Sequence, residues 1–180
     1  IQGNKVDDSP YAVNPAGLVI HTAIHAARPD IHCIAHTHTT EGMAVACSQE
    51  GLRTDNFYSA LLNNRIAYHN FEGITVMDDE KPRLVKSLGD KNILILRNHG
   101  LLVGGRSIPE AFQTMWGLQR ACEVQVATDA SGKTPIPINN EVLAKTAQLL
   151  NLQAMGGPAG GLEFDALTRV IAKIDPSYKE

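Results

Sequence analysis

The residues able to do chemistry in this chain are its histidines. His36 and His38 flank Thr37, and in an extended segment side chains alternate, so both imidazoles fall on one face, close enough to share a metal ion. His99 sits between the apolar run Asn92–Arg97 and Gly100, in a turn from which a side chain can be aimed back across a sheet edge. Three neutral nitrogen ligands with room left for water or substrate are the pattern of a catalytic zinc site rather than a closed structural one. Imidazole also suits cobalt, nickel, iron and manganese, so the cofactor expected is Zn2+ or another divalent transition metal. A His-x-His pair alone also arises on ordinary surfaces, and the third histidine is what makes a site of it. His21 and His25 lie one helical turn apart, a spacing that serves metal binding or plain packing against a strand. His32 and His69 read as surface or hydrogen-bonded residues.

These histidines need elements to position them. Asn14-Pro15 followed by Leu18, Ile20 and Ile24 reads as an N-cap, a proline at the first helical position and a helix that Pro29 stops. Ile31–His38 then reads as a strand. Asn92–Arg97 is a second, fully buried strand, and Leu101–Val103 continues or reverses it after the Asn98-His99-Gly100 turn. Ser107 with Glu110 forms a capping box that opens a long helix through Phe112, Met115, Trp116, Ala121 and Val124 to about Ala127. Ser131–Pro137 is a linker, followed by two short helices, Glu141–Leu150 and Glu163–Ile174, on either side of a Gly156–Gly161 loop.

Composition bounds the function. The 180 residues are 43% hydrophobic, enough for one domain spanning 1–180 with a core of its own. The net charge of −3 comes from interspersed acids and bases, which offers no basic face to nucleic acid or an anionic membrane. A small-molecule substrate is the expected partner. No apolar run reaches the roughly 20 residues of a membrane span, and the start IQGNKVDDSP has no secretory pattern. Cys33, Cys47 and Cys122 are odd in number and set among apolar residues, which suits small buried thiols in a reducing cytoplasm.

The blocks NPAGLVIHTAIHAARPDIHCIAHTHT (Asn14–Thr39), NNRIAYHNFEG (Asn63–Gly73), ILILRNHGLLVGG (Ile93–Gly105) and ACEVQV (Ala121–Val126) resemble the class II aldolase/adducin family, with wording closest to the adducin head and the bacterial adducin-like proteins. The resemblance implies an α/β/α layered fold with a central, largely antiparallel sheet flanked by helices, and a homotetramer with sites between subunits. It assigns the family's metal ligands to His36, His38 and His99. It makes residues from about 131 to 180 a C-terminal helical arm, and places the family's N-terminal portion, with its glycine-rich phosphate loop, upstream of Ile1. In the aldolases the metal polarises a ketose carbonyl and stabilises the enediolate left when a carbon–carbon bond breaks.

One departure bears on the reaction. Where the aldolases carry Ser-Ser-Glu, or the epimerases Ser-Ser-Asp, this chain has Pro15-Ala16-Gly17. The usual general base is missing at Gly17, and a phosphate anchor with it. Glu41, just after His38, and Asp7 or Asp8 are candidate replacements, although an acid in the first turn of a helix is also favoured simply by the helix dipole. Tyr58 stands near the place of an aldolase tyrosine that reaches the neighbouring subunit, offset by one residue. The expected function is a metal-dependent lyase acting on a small hydroxy-carbonyl compound. The alternatives are a decarboxylase on the same metal and a non-catalytic adducin-like oligomerisation or binding module.

Overall fold

A computed structural model describes residues 4–6, 8–74, 78–154 and 159–179. The chain forms α1 (Pro15–Ala27), β1 (Cys33–Thr37), α2 (Thr40–Cys47), α3 (Phe57–Leu61), β2 (Ile66–His69), a 3-10 turn (Asp78–Glu80), α4 (Lys81–Leu88), β3 (Ile93–Leu96), β4 (Gly100–Gly105), α5 (Ile108–Ala130), α6 (Asn140–Ala154) and α7 (Gly161–Ile174), then a short 3-10 turn (Ser177–Lys179).

The sheet has the order β1-β4-β3-β2. β4 is antiparallel to both β1 and β3, whereas β2 runs parallel to β3. The largely antiparallel sheet expected is met at two of its three pairs, and the β2–β3 pair is parallel. The chain passes from β2 to β3 through α4, and a helical crossover of this kind brings the second strand back in the direction of the first.

Alternation along the central strands divides the core. Ile93, Ile95, Leu101 and Val103 face Val45 and Ala46 of α2 and Ala111, Leu118, Ala121 and Cys122 of α5. Leu94, Leu96 and Leu102, with Ile34 of β1, face Ile20, Ala23 and Ile24 of α1 and Leu84 and Leu88 of α4. Helices thus cover both faces of the sheet, which is why β3 and β4 read as continuous apolar runs. Each fully buried Leu or Ile contributes about 1.5–3 kcal/mol relative to exposure.

Asn14 accepts a hydrogen bond from the Ala16 N–H at 3.0 Å with Pro15 in the first turn, so α1 starts as its sequence predicts, and it ends before Pro29. β1 is shorter than the predicted Ile31–His38, because Ile31 turns into the α1–α4 core and His38 lies one residue past the last ladder pair, Thr37 with Leu101. The capping box at α5 is half formed. Ser107 Oγ accepts from the Glu110 N–H at 3.3 Å, but Glu110 turns its carboxylate to the backbone N–H and guanidinium of Arg106. α5 runs past Ala127 to Ala130, α6 includes the predicted Glu141–Leu150, and α7 the predicted Glu163–Ile174. Residues 156–158 of the expected Gly156–Gly161 loop lie outside the described residues. Of the three cysteines, Cys122 is buried and Cys33 half-buried, but Cys47 is exposed at the end of α2, so the expectation of buried thiols fails there. No helix among the described residues is long and apolar enough to cross a membrane.

Candidate metal centre

The predicted histidines meet at one end of the sheet. His36 pairs with Leu102 across β1 and β4, and its Nδ1 lies 2.8 Å from the Leu101 carbonyl oxygen. That acceptor requires the proton on Nδ1 and leaves Nε2 as a lone-pair donor, the usual way in which a backbone carbonyl fixes a ligating histidine. His38 Nε2 stands 2.8 Å from His36 Nε2, so in the metal-free tautomer His38 donates to His36.

His99 arrives from the β3–β4 turn. Asn98 takes a left-handed conformation, φ 58°, which asparagine tolerates better than most residues. Its N–H is held by the Ala46 carbonyl at 3.1 Å, and the His99 N–H by that of Leu96 at 3.0 Å. Gly100 is required by contact. A Cβ there would stand 2.4 Å from the Thr37 carbonyl oxygen and 2.9 Å from His38 Cδ2. The absence of a side chain at Gly100 is what lets the His38 ring lie against the start of β4.

The ring centroids are 4.6 Å apart for His36 and His38, 4.9 Å for His36 and His99, and 4.8 Å for His38 and His99. One ligand nitrogen from each lies within 4.8 Å of the others. Burial pushes the His36 pKa down to about 4 against the opposing pull of its Leu101 hydrogen bond, with His99, His38 and His21 adding smaller downward pushes. Burial and then His38 lower His99 as well, while Glu80 acts in the opposite direction. His36 and His99 are consequently uncharged at neutral pH, the state in which imidazole binds a metal. The donor set fits a divalent transition metal.

The other candidates lie elsewhere. The Glu41 carboxylate accepts from Gln119 Nε2 at 3.1 Å, against α5. Tyr58 packs edge-on to Trp116 at 5.6 Å, also against α5. Neither belongs to the group that could share an ion with the triad. Asp8 is exposed and Asp7 lies outside the described residues. His25 Nδ1 is 3.0 Å from the Ile31 carbonyl oxygen, a packing role, whereas His21 is close enough to His36 to act on its charge. At Gly17 a Cβ would meet nothing within 4 Å. His32 meets the Pro29 carbonyl oxygen at 3.1 Å.

Sequence reading missed the pair His69 and Glu80. Of the two readings of His69, surface or hydrogen-bonded, the second holds: it is buried, with Nδ1 at 2.9 Å from Ser87 Oγ and Nε2 at 3.2 Å from Glu80 Oε1. Glu80 ends the run Asp78-Asp79-Glu80, which reads as a solvated charge cluster and carries no signal of burial.

Residues 1–126 match the family described as the Class II Aldolase and Adducin N-terminal domain. The structure of an aldolase II superfamily protein from Pseudomonas syringae is similar with a TM-score of 0.87 and 40% identity, over 97% of this chain and 69% of that one. L-fuculose 1-phosphate aldolase from Glaciozyma antarctica PI12 is similar with a TM-score of 0.75 and 31% identity, over 92% of this chain and 61% of that one. Alpha-adducin from Rattus norvegicus is 40% identical over 187 residues, which take in 95% of this chain and 25% of the adducin.

Proposed function

The chain belongs to the class II aldolase and adducin family, and from that premise we propose that it is a metal-dependent lyase of the aldolase type acting on a small hydroxy-carbonyl compound. The observation that carries this reading is the convergence of three imidazoles, one ligand nitrogen from each within 4.8 Å of the others. A divalent ion, zinc first among them by ligand type, would supply a Lewis acid for a carbonyl oxygen. The residues of the chain do the rest. The Leu101 carbonyl holds the His36 tautomer, Gly100 leaves space for His38, and the Asn98 turn aims His99. Glu41 is the acid that follows the histidine pair, and it would exchange its bond to Gln119 for substrate. Tyr58, on the α5 side, would serve a neighbouring subunit of a homotetramer. The free thiols of Cys33, Cys47 and Cys122 suit a cytoplasmic location.

Elemental analysis tests the centre. The purified protein should carry about one divalent ion per chain, and His36→Ala with His38→Ala should remove it while circular dichroism stays that of a folded chain. Full occupancy in the double variant would overturn the assignment.

A second reading, a non-catalytic adducin-like module, is favoured by Gly17 in place of an acid and by the 40% identity to alpha-adducin. It predicts a metal-loaded oligomer with no turnover on a panel of ketoses and their phosphates. Retro-aldol cleavage at ordinary enzymatic rates would exclude it.

A further inference from the structure

α1 brings no carboxylate to the triad, yet a buried carboxylate approaches it from the opposite edge of the sheet. β2 runs parallel to β3 with His69 opposite Leu96, so His69 reaches the same end of the sheet as the β3–β4 turn. His69 and Glu80 are only 5% and 8% exposed. The imidazole is held at both nitrogens, by Ser87 Oγ on one side and Glu80 Oε1 on the other. A buried ionisable pair of this kind is costly, so where it flanks a cavity it is a candidate for function.

There is such a cavity. It is small, about 10 Å³, the room of roughly one water molecule or hydroxyl group, partly open to solvent, and it lies between this pair and His99 with Ile20, Phe71, Leu84 and Leu96 as its apolar lining. It lies on the α1–α4 face of the sheet, the face of Ile34, which β1 shares with His36 two residues on. Glu72 also lines it, but its carboxylate is tied to the Arg83 guanidinium at 2.5 Å. Glu80 is the nearer of the two to the His69 imidazole, at 3.2 Å against 3.8 Å for Glu72, and its charge is felt at His99.

We propose that this small cavity receives one hydroxyl of the substrate, and that Glu80 accepts that hydroxyl's hydrogen bond, with His69 and Ser87 as the residues that position the carboxylate. This deepens the lyase reading and rests on it. Glu80 then makes the site prefer hydroxylated over deoxygenated compounds, because a bound compound without that hydroxyl strips water from the carboxylate and gives no donor in return.

The test uses the full, metal-loaded chain and two probes, glycolohydroxamate and acetohydroxamate. Both chelate a metal through the hydroxamate, and they differ by one hydroxyl. Calorimetry should find the hydroxylated probe bound about tenfold or more tightly than the other. Glu80→Ala should abolish that difference, while the metal content and the acetohydroxamate affinity stay near wild type. Glu80→Gln, which keeps the shape and an acceptor oxygen, should retain part of the difference and serves if the alanine variant does not fold. A wild type without preference, or a Glu80 variant with the preference intact, overturns the pocket assignment and leaves the metal centre standing. Failure of both probes to bind the loaded protein overturns both.

Discussion

Burial holds the His36 pKa at about 4, below its ordinary 6.5, and between those values the unfolded chain takes up a proton that the native chain refuses. Stability must therefore rise with pH across that window and fall as acid is added through it. The melting temperature of the metal-free protein should drop from pH 6.5 toward pH 4, and His36→Gln should show a shallower drop, the difference between the two isolating this residue from the carboxylates that titrate nearby. Parallel curves would contradict it. Gly17 offers a second test at this scale. A Cβ there would meet nothing within 4 Å, and the position is one turn before His21, whose charge reaches His36. Gly17→Glu should raise the melting temperature, since glycine inside a helix costs about 0.8–1.0 kcal/mol and an acid in the first turn adds to the gain. It should also increase retro-aldol turnover, by up to the roughly 10²–10⁴-fold that general-base help supplies. A stabilised, metal-bound variant with unchanged turnover would show that the missing acid is not what limits the chemistry.

At the scale of elements, the β3–β4 turn decides the site. It combines a left-handed Asn98 with a glycine pressed on the Thr37 carbonyl and the His38 ring. Gly100→Ala must move one of them, at about 1–3 kcal/mol for overpacking, and because His38 is one of the two neighbours, metal affinity should fall with stability. Denaturant titration and metal calorimetry on the same variant check this, and wild-type values in both would refute it. The contrast with α2 is instructive. Its Gly42 would place a Cβ 2.7 Å from Leu101 Cδ1, so close packing again demands glycine, but the segment has no side-chain cap at Thr39 and Glu41 in its first turn is the sequence's sign of a helix. α1 is the opposite case, with Asn14, Pro15 and Pro29 marking both ends.

For the whole molecule the open question is what covers its apolar exterior. α7 buries none of its residues, and Leu162 and Ile174 are 86% and 72% exposed. On α3 and α5, Phe57 is 70% and Trp116 49% exposed, beside Tyr58. Exposed large apolar side chains on three helices fit the proposed homotetramer, in which they would be covered. Light scattering at micromolar concentration should give four times the 19.5 kDa chain mass. A 19.5 kDa particle would contradict the assembly and remove Tyr58 from any site.

What the sequence determined by itself was local: the capped start of α1, the doubly buried run of β3, the Asn-His-Gly turn, and the spacing that sets His36 and His38 on one side. Each follows from periodicity or from the backbone demands of one residue, and neither needs a distant partner. Tertiary structure decided the convergence of His99 with that pair, which depends on β4 pairing with β1 as well as β3, and the parallel placement of β2. It also decided the burial of His69 and Glu80. A glutamate in an acidic run looks solvated until an imidazole from another strand and the wall of a cavity close around it, and no spacing along the chain encodes that meeting.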